Sequence, residues 1–343
     1  MSDWCCAECI DDRFLRKIII PPISSNRGTC DFCGSSDVDL VRPSQLEDLF
    51  EILVSIYEPD PNGKSLVELL KNDWLIFSHP RMDNAHAKEL LGEILDDGEI
   101  IRKSFSPSPV YNSEGVARWE TLRDEILYKN RFFLDEALDF DRLKELLEHL
   151  IADEMPEVWY RARIMTDEKP FSIEEMGAPP KRMAIHGRAN PIGIPYLYLS
   201  SIPETAAAEV RPHTGEIACV AEFKVPKPMI LVDLRNPRKL VSPFVLAHAN
   251  AIGQMRADIP FLERLGDELT RPVLPRSAAI DYIPSQYLCE FIKKNGYDGV
   301  VYRSSVSYGI NLALFNPEKA TPCSLSLYEI NKVSVEVVRA LSN

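Results

Sequence analysis

The chain has 343 residues and a formal net charge of −13; 45% of its residues are hydrophobic and 27% are charged. That length suits about two or three domains, and the composition supports a real core. The acidic balance argues against nucleic acid as a partner, because binding phosphates calls for a basic face that displaces counterions. No run approaches the ~18 consecutive apolar residues of a membrane span. The start, Met1-Ser2-Asp3-Trp4, has no basic cluster and no apolar stretch. The expectation is therefore a cytoplasmic protein without a membrane partner, with a homo-oligomer left open.

Residues 1–40 are cysteine-rich. Five of the eight cysteines lie within the first 33 residues. Cys6-Ala7-Glu8-Cys9 and Cys30-Asp31-Phe32-Cys33 form a CxxC–x20–CxxC pattern. Each short spacing turns two thiolates toward one centre, and four thiolates close a tetrahedral zinc shell. In a chain expected in the cytoplasm, clustering of this kind points to metal before disulfides. Cys6, Cys9, Cys30 and Cys33 are thus the candidate ligands of a structural Zn²⁺, with Cys5 able to stand in for Cys6. Cys219, Cys289 and Cys323 stand alone and read as core residues. Pro21-Pro22 and Gly28 are expected to break any regular element in this segment.

Residues 41–153 read as a helical domain. Ser44–Glu47 and Ser65–Glu68 both fit the reciprocal capping box. Leu46, Leu49, Phe50, Leu53 and Tyr57 fall on one helical face, and amphipathic stretches recur at Ala85–Leu95, Glu114–Tyr128 and Phe140–Ile151. Gly63-Lys64-Ser65 resembles the tail of a phosphate-binding loop, but Glu58 stands where its first glycine belongs, so it reads as a loop before a helix.

Residues 154–343 change pattern. β-rich runs occur at Val158–Ile164, Tyr196–Ser200, Ile217–Val225, Met229–Leu234, Gly299–Tyr302, Asn311–Phe315 and Ser334–Val338, with helical patterns at Glu204–Val210 and Ser285–Lys294. This irregular alternation predicts an α+β domain on an antiparallel or mixed sheet. Polar residues interrupt the runs where apolar ones are easier to bury. Arg161 and Arg163, at i and i+2, share one face of a strand. Gly187-Arg188 lies in a loop bounded by glycines. Ser201-Ile202-Pro203-Glu204 reads as a capping box, and the helix it opens carries Glu209 at its end. Tyr302-Arg303-Ser304 closes one strand, and Asn311 begins another.

In this order, Arg161, Gly187-Arg188, Tyr198-Leu199-Ser200, Glu204-Thr205-Ala206 with Glu209, Tyr302-Arg303-Ser304 and Asn311-Leu312-Ala313-Leu314-Phe315 resemble the RES domain, a family named for its Arg, Glu and Ser. The resemblance covers roughly the last half of the chain. The first 150 residues resemble the helical, cysteine-containing module found before some RES or HEPN domains. The whole then reads as a zinc-stabilised helical N-terminal domain followed by a mixed-sheet RES domain with a fold related to ADP-ribosyltransferase toxins. In two respects the chain departs from the small RES toxins: they carry Trp after the Gly-Arg pair, where Ala189 stands here, and they lack the N-terminal extension. Tyr196 is the candidate to fill the stacking role of that Trp.

The resemblance implies NAD as substrate, a place among toxins or defence effectors, and an antitoxin or other regulatory protein as partner. Cleavage of the nicotinamide–ribose bond builds positive charge on the ribose, which a carboxylate stabilises; Glu209 is the candidate. Arg161 and Arg188, with Arg163 in reserve, match the pyrophosphate. Tyr198 is placed to stack or to donate to ribose, and Ser304 and Asn311 to hold oxygens, with Ser305 as the alternative to Ser304. The products differ only by acceptor: water, phosphate or protein. Glu209 is expected in a partly dry cleft beside both arginines. Two other readings stay open: a catalytically inactive regulatory protein, and a ribonuclease through Arg142 and His149, whose R-x6-H spacing is loose.

Overall fold

The computed structural model describes residues 3–135, 138–166, 169–334 and 337. The chain divides into two compact units, one made of Met1–Trp119 and Asn236–Glu263, the other of Glu120–Arg235 and Arg264–Asn343. The expected segments 1–40, 41–153 and 154–343 are stretches of sequence; each compact unit draws on discontinuous chain.

The first unit is not purely helical. Strands β1 (Cys5–Cys6), β2 (Asn26–Gly28) and β3 (Val38–Val41) form a small antiparallel sheet in the order β1-β3-β2. Pro21-Pro22 does not break structure there: it occupies the first turn of a short helix, Ile20–Ile23, where a missing amide costs nothing. The Ser65 capping box forms as expected. Ser65 Oγ accepts the Glu68 amide at 3.4 Å, and the Glu68 carboxylate accepts the Ser65 amide at 3.0 Å, opening the helix Leu66–Trp74. The Ser44 box does not form; the Gln45 side chain accepts the Arg42 amide at 2.8 Å in a 3₁₀ turn, and the α-helix begins at Glu47. That helix ends at Val54, and Tyr57 starts strand β4 (Tyr57–Ser65), which pairs with β5 (Ser104–Pro107). Gly63-Lys64-Ser65 therefore ends a strand and is not a loop. Phe50 packs between Phe77 and Phe244, with ring centroids 6.2 and 5.2 Å away.

The second unit is built on a seven-stranded sheet: β6 (Val158–Ile164), β7 (Leu197–Ser200), β8 (Ile217–Lys224), β9 (Leu231–Asp233), β10 (Gly299–Arg303), β11 (Ile310–Leu314) and β12 (Thr321–Glu329), in the order β12-β8-β6-β7-β11-β10-β9. Among the described residues only β9–β10 is parallel, so the sheet is mixed. Six strands match the β-rich runs of the sequence. The edge strand β12 was hidden by its polar alternation, by Pro322 and by a bulge between Pro322 and Ser324. It leaves Cys323 exposed, so this cysteine is not a core residue, whereas Cys219 and Cys289 are buried. The expected run Ser334–Val338 falls mostly on residues outside the described set. Also unmarked in the sequence was the helix Ala249–Thr270, which carries Pro260 inside it.

Alternation along β6 sorts its side chains. Trp159 joins Leu197, Leu199, Phe223, Leu312 and Leu314 in the main core. On the other face, Ala162, Ala218 and Val220 meet Ala206 of the helix Pro203–Glu209. Alanines let that helix lie close to the sheet. Its start is set by Pro203 at the first turn and not by a capping box: Ser201 Oγ instead accepts the Ile310 amide from β11, at 3.1 Å.

Candidate functional site

The four cysteines of the CxxC–x20–CxxC pattern come together. Their Sγ atoms all lie within 4.8 Å of one another, and all four side chains are buried. The sulfur contacts are 3.9 Å for Cys6–Cys9, 3.5 Å for Cys6–Cys33 and 3.2 Å for Cys9–Cys30. Zn–S bonds of about 2.3 Å in a tetrahedron require sulfurs roughly 3.8 Å apart, so the donor set fits zinc in chemistry and in size. Local folding prepares it. The Cys33 amide points at Cys30 Sγ (3.5 Å), the Gly34 amide donates to the Cys30 carbonyl (3.0 Å), and Gly34 adopts φ +68°, a conformation that favours glycine. Strand alternation in β1 places Cys6 in the cluster, while Cys5 Sγ contacts the Val41 carbonyl at 3.6 Å. Hydrogen bonds from Cys6, then Cys9, lower the Cys30 thiol, while the same contacts with Cys30 raise the Cys6 and Cys9 thiols.

The second candidate is a cavity of about 450 Å³ in the unit that holds the seven-stranded sheet. It opens where the ladder is thinnest: β6 and β7 share one register pair, Tyr160↔Ser200. Arg161, Arg188, Tyr198, Glu209 and Asn311 all line it, although they come from three strands, a loop and a helix end. Arg161 Nη1 donates to the Tyr198 carbonyl at 3.0 Å, while its buried Nε has no hydrogen-bond partner among the described residues. Burial, and after it the charge of Arg163, lowers the Arg161 guanidinium to about 10, so it stays cationic at neutral pH. Arg188 is gripped from several sides. Its Nη1 donates to the Arg271 carbonyl (2.8 Å), and its guanidinium lies 5.2 Å from the Tyr282 ring centroid. Its own carbonyl accepts Ser285 Oγ (2.6 Å), and the Gly187 carbonyl accepts Gln286 Nε2 (2.8 Å). Gly187 is required here, since a Cβ would come within 2.5 Å of Tyr198 Oη.

Glu209 ends its helix. Oε1 accepts Asn311 Nδ2 at 2.6 Å and Ser304 Oγ at 2.7 Å. Oε2 has no hydrogen bond among the described residues. Ser304, not Ser305, is the serine tied to the carboxylate, whereas Ser305 belongs to the cavity wall. Glu209 lines the same cavity as both arginines and Tyr198. One part of the expectation needs correcting: Glu209 is exposed and not partly dry, because it is the last residue of the helix.

Other candidates lie apart from the cavity wall. Arg163 donates to the Gly177 carbonyl (3.1 Å) and covers the Phe171 ring. Tyr196 is 2% exposed and packs on Phe315 (5.0 Å), so it cannot fill the stacking role given to it; Tyr282 is the aromatic residue that lines the cavity beside Arg188. The Tyr198 hydroxyl is engaged: it accepts the Ala189 and Asn190 amides and donates to Asn190 Oδ1 (2.8 Å). The hydroxyl thereby ties down the loop that carries Arg188, and burial raises it well beyond the usual phenol range. Arg142 pairs with Glu145 at 2.9 Å, and neither it nor His149 lines the cavity.

Two lining residues, Arg211 and Tyr282, had no sequence argument. Arg211, held at φ +52° two residues after Glu209, reaches the Val273 carbonyl at 3.4 Å. Ser200 entered the resemblance as the end of a strand, and the pairing register reveals its partner.

Three comparisons bear on this arrangement. No curated protein matches the chain. Among solved structures, a chain from the crystal structure of the M. tuberculosis MbcT-MbcA toxin-antitoxin complex is similar with a TM-score of 0.31 and 14% identity, over 55% of this chain and 92% of that chain. A family model described as the RES domain matches residues 158–326. The matched segment holds Arg161, Arg188, Tyr198, Glu209, Ser304 and Asn311: residues 158–326 form a RES domain.

Proposed function

We propose that the RES domain breaks the bond between nicotinamide and ribose in NAD, as the family resemblance implies. The observation that carries this reading is the state of Glu209. One carboxylate oxygen is saturated by Asn311 and Ser304, and the other has no hydrogen bond among the described residues, in a cavity lined by Arg161 and Arg188. Such a carboxylate is oriented before substrate arrives. Its free oxygen suits the charge that develops on ribose as the C–N bond lengthens, and preorganised charge of this kind lowers the barrier. Nicotinamide leaves with the bonding electrons as a neutral molecule, so no general acid is needed. An acceptor then adds to the ribosyl carbon. Water would do so with loss of a proton, and phosphate or a protein side chain in the same manner.

The arginines serve the other end of the substrate. A guanidinium presents several donors in a plane that matches phosphate oxygens. Arg161 Nε has no hydrogen-bond partner among the described residues, and Arg188 is held by the Arg271 carbonyl and the Tyr282 ring. Tyr282 provides an aromatic surface beside them. In cells the activity would make the protein an NAD-consuming effector, restrained by a partner protein. Zinc on Cys6, Cys9, Cys30 and Cys33 would be structural, since four thiolates leave it no open position.

The test is direct. Purified protein is incubated with NAD, and nicotinamide and the ADP-ribose product are separated and quantified. Turnover that disappears in Glu209→Gln supports the reading. Wild-type protein that leaves NAD intact at enzyme concentrations near that of substrate rejects it.

A further inference from the structure

We propose that Ser200 is a positioning residue of this cavity: its hydroxyl sets and polarises the Asn311 amide, which in turn holds Glu209. The inference rests on the reading of Glu209 as the catalytic carboxylate. It begins with register. β7 and β11 pair so that Ser200 lies directly opposite Asn311, and β6 sets Tyr160 opposite Ser200 from the other side. Ser200 is therefore between two strands, 4% exposed, next to the core residue Leu199. A buried hydroxyl without a partner is costly, so its presence there calls for an acceptor.

The acceptor is Asn311 Oδ1, at 2.8 Å. This bond has a directional consequence. An asparagine amide can turn over and exchange its oxygen and nitrogen with little change in shape. The reversed amide would set Oδ1 against the Glu209 carboxylate and lose a charge-assisted bond. With Ser200 donating into Oδ1, the amide nitrogen is the end that faces Glu209, and it donates to Oε1 at 2.6 Å. Donation into the carbonyl end also polarises the amide and strengthens the bond at the other end. The second donor to Oε1 is braced in a parallel way: Ser304 Oγ accepts the amides of Val306 (3.2 Å) and Ser307 (3.1 Å) while donating to Glu209. Both donors on Oε1 thus have a partner behind them, and Oε2 is the oxygen left for substrate. The chain Ser200–Asn311–Glu209 spans 111 positions of sequence in its first link and 102 in its second. A slip of one residue between β7 and β11 would turn Ser200 or Asn311 to the opposite face and break it.

The experiment compares wild type, Ser200→Ala and Ser200→Thr in the full chain. Thr keeps the hydroxyl and Ala removes it. In nicotinamide-release kinetics, S200A is expected to lower kcat about tenfold or more with KM within about twofold, the signature of a group that acts on the transition state through another residue. S200T should restore most of kcat. A second readout needs no turnover. The side-chain amide signals of Asn311 in a ¹H–¹⁵N spectrum, identified by their loss in N311A, should move upfield in S200A and stay near the wild-type position in S200T. If S200A raises KM with kcat unchanged, Ser200 touches substrate directly and the positioning role is wrong. If S200A leaves both kcat and the Asn311 amide signals as in wild type, the inference falls outright. Wild-type protein that releases no nicotinamide, with amide signals that still respond to S200A, would remove the proposed reaction and leave the Ser200–Asn311–Glu209 relay standing.

Discussion

The thiol cluster and the cavity are two polar sites in one chain, and they are finished to different degrees. In the cluster each of four sulfurs faces the other three, every ligand is buried, and nothing is left over to meet a reactant. In the cavity the groups are partly spent. Among the described residues, Glu209 has one oxygen bound twice and one unbound, Arg161 has a donor without a partner, and Arg188 is held mainly by its backbone and ring contacts. Saturation suits a site whose task is to hold the chain in place. Incomplete saturation suits a site whose last partner is a substrate, because an unpaired buried donor is costly until that partner arrives.

The comparison can be broken at either end, and the largest effect belongs to the saturated site. One zinc per chain is expected, and Cys30→Ser should abolish it. Structural zinc contributes roughly 10–16 kcal/mol of apparent binding free energy to folding in small domains. Loss of even a few kcal/mol should lower the melting temperature by about ten degrees or more. Metal analysis of protein purified without chelators, with calorimetry of the variant, decides it; a zinc-free wild type or an unmoved transition would show that the four thiols hold no structural metal.

Next comes the unfinished carboxylate. Glu209→Gln preserves size and removes charge, so nicotinamide release should fall by about 10²–10³-fold, while the dissociation constant for NAD changes only severalfold, since the arginines remain. A variant that turns over at the wild-type rate would assign the chemistry to another group.

The arginines should give a smaller effect, seen in binding. Arg188→Lys keeps the charge and loses the planar donor set and the contact with the Tyr282 ring. A lost charge-assisted hydrogen bond is worth roughly 1.5–3 kcal/mol, so affinity for NAD should drop about tenfold or somewhat more, by calorimetric titration. Unchanged affinity would mean that Arg188 faces no phosphate.

The smallest effect is one of pH. Arg161 is lowered to about 10 by burial and then by Arg163. Burial disfavours the cation, so the proton is lost at a lower pH than in an exposed arginine, and the charge available to a phosphate is half gone at about pH 10. NAD affinity should therefore be flat from about pH 6 to 8 and weaken from about pH 9 upward. A fall centred near neutral pH would point to a different group.

Much of this protein follows from local sequence. Each CxxC spacing brings two thiols together because two residues between cysteines make a turn, while the meeting of the two pairs is a contact across 21 and 27 positions. The Ser65–Glu68 cap and the strands at Val158–Ile164 and Ile217–Lys224 are local in the same sense, since the period of two and the reciprocal cap act within a few residues. The resemblance to the RES domain also rested on residue order along the chain. What tertiary structure alone decided are pairings across long separations. It chose Cys6 over Cys5 and Ser304 over Ser305, and it sent Tyr196 and Arg163 away from the cavity while bringing Tyr282 in. It also left Glu209 exposed at a helix end and put Ser200 opposite Asn311. The physical reason is that a side chain's face follows from its own element, but its neighbour follows from strand order and register, which are set by the burial of the whole sheet.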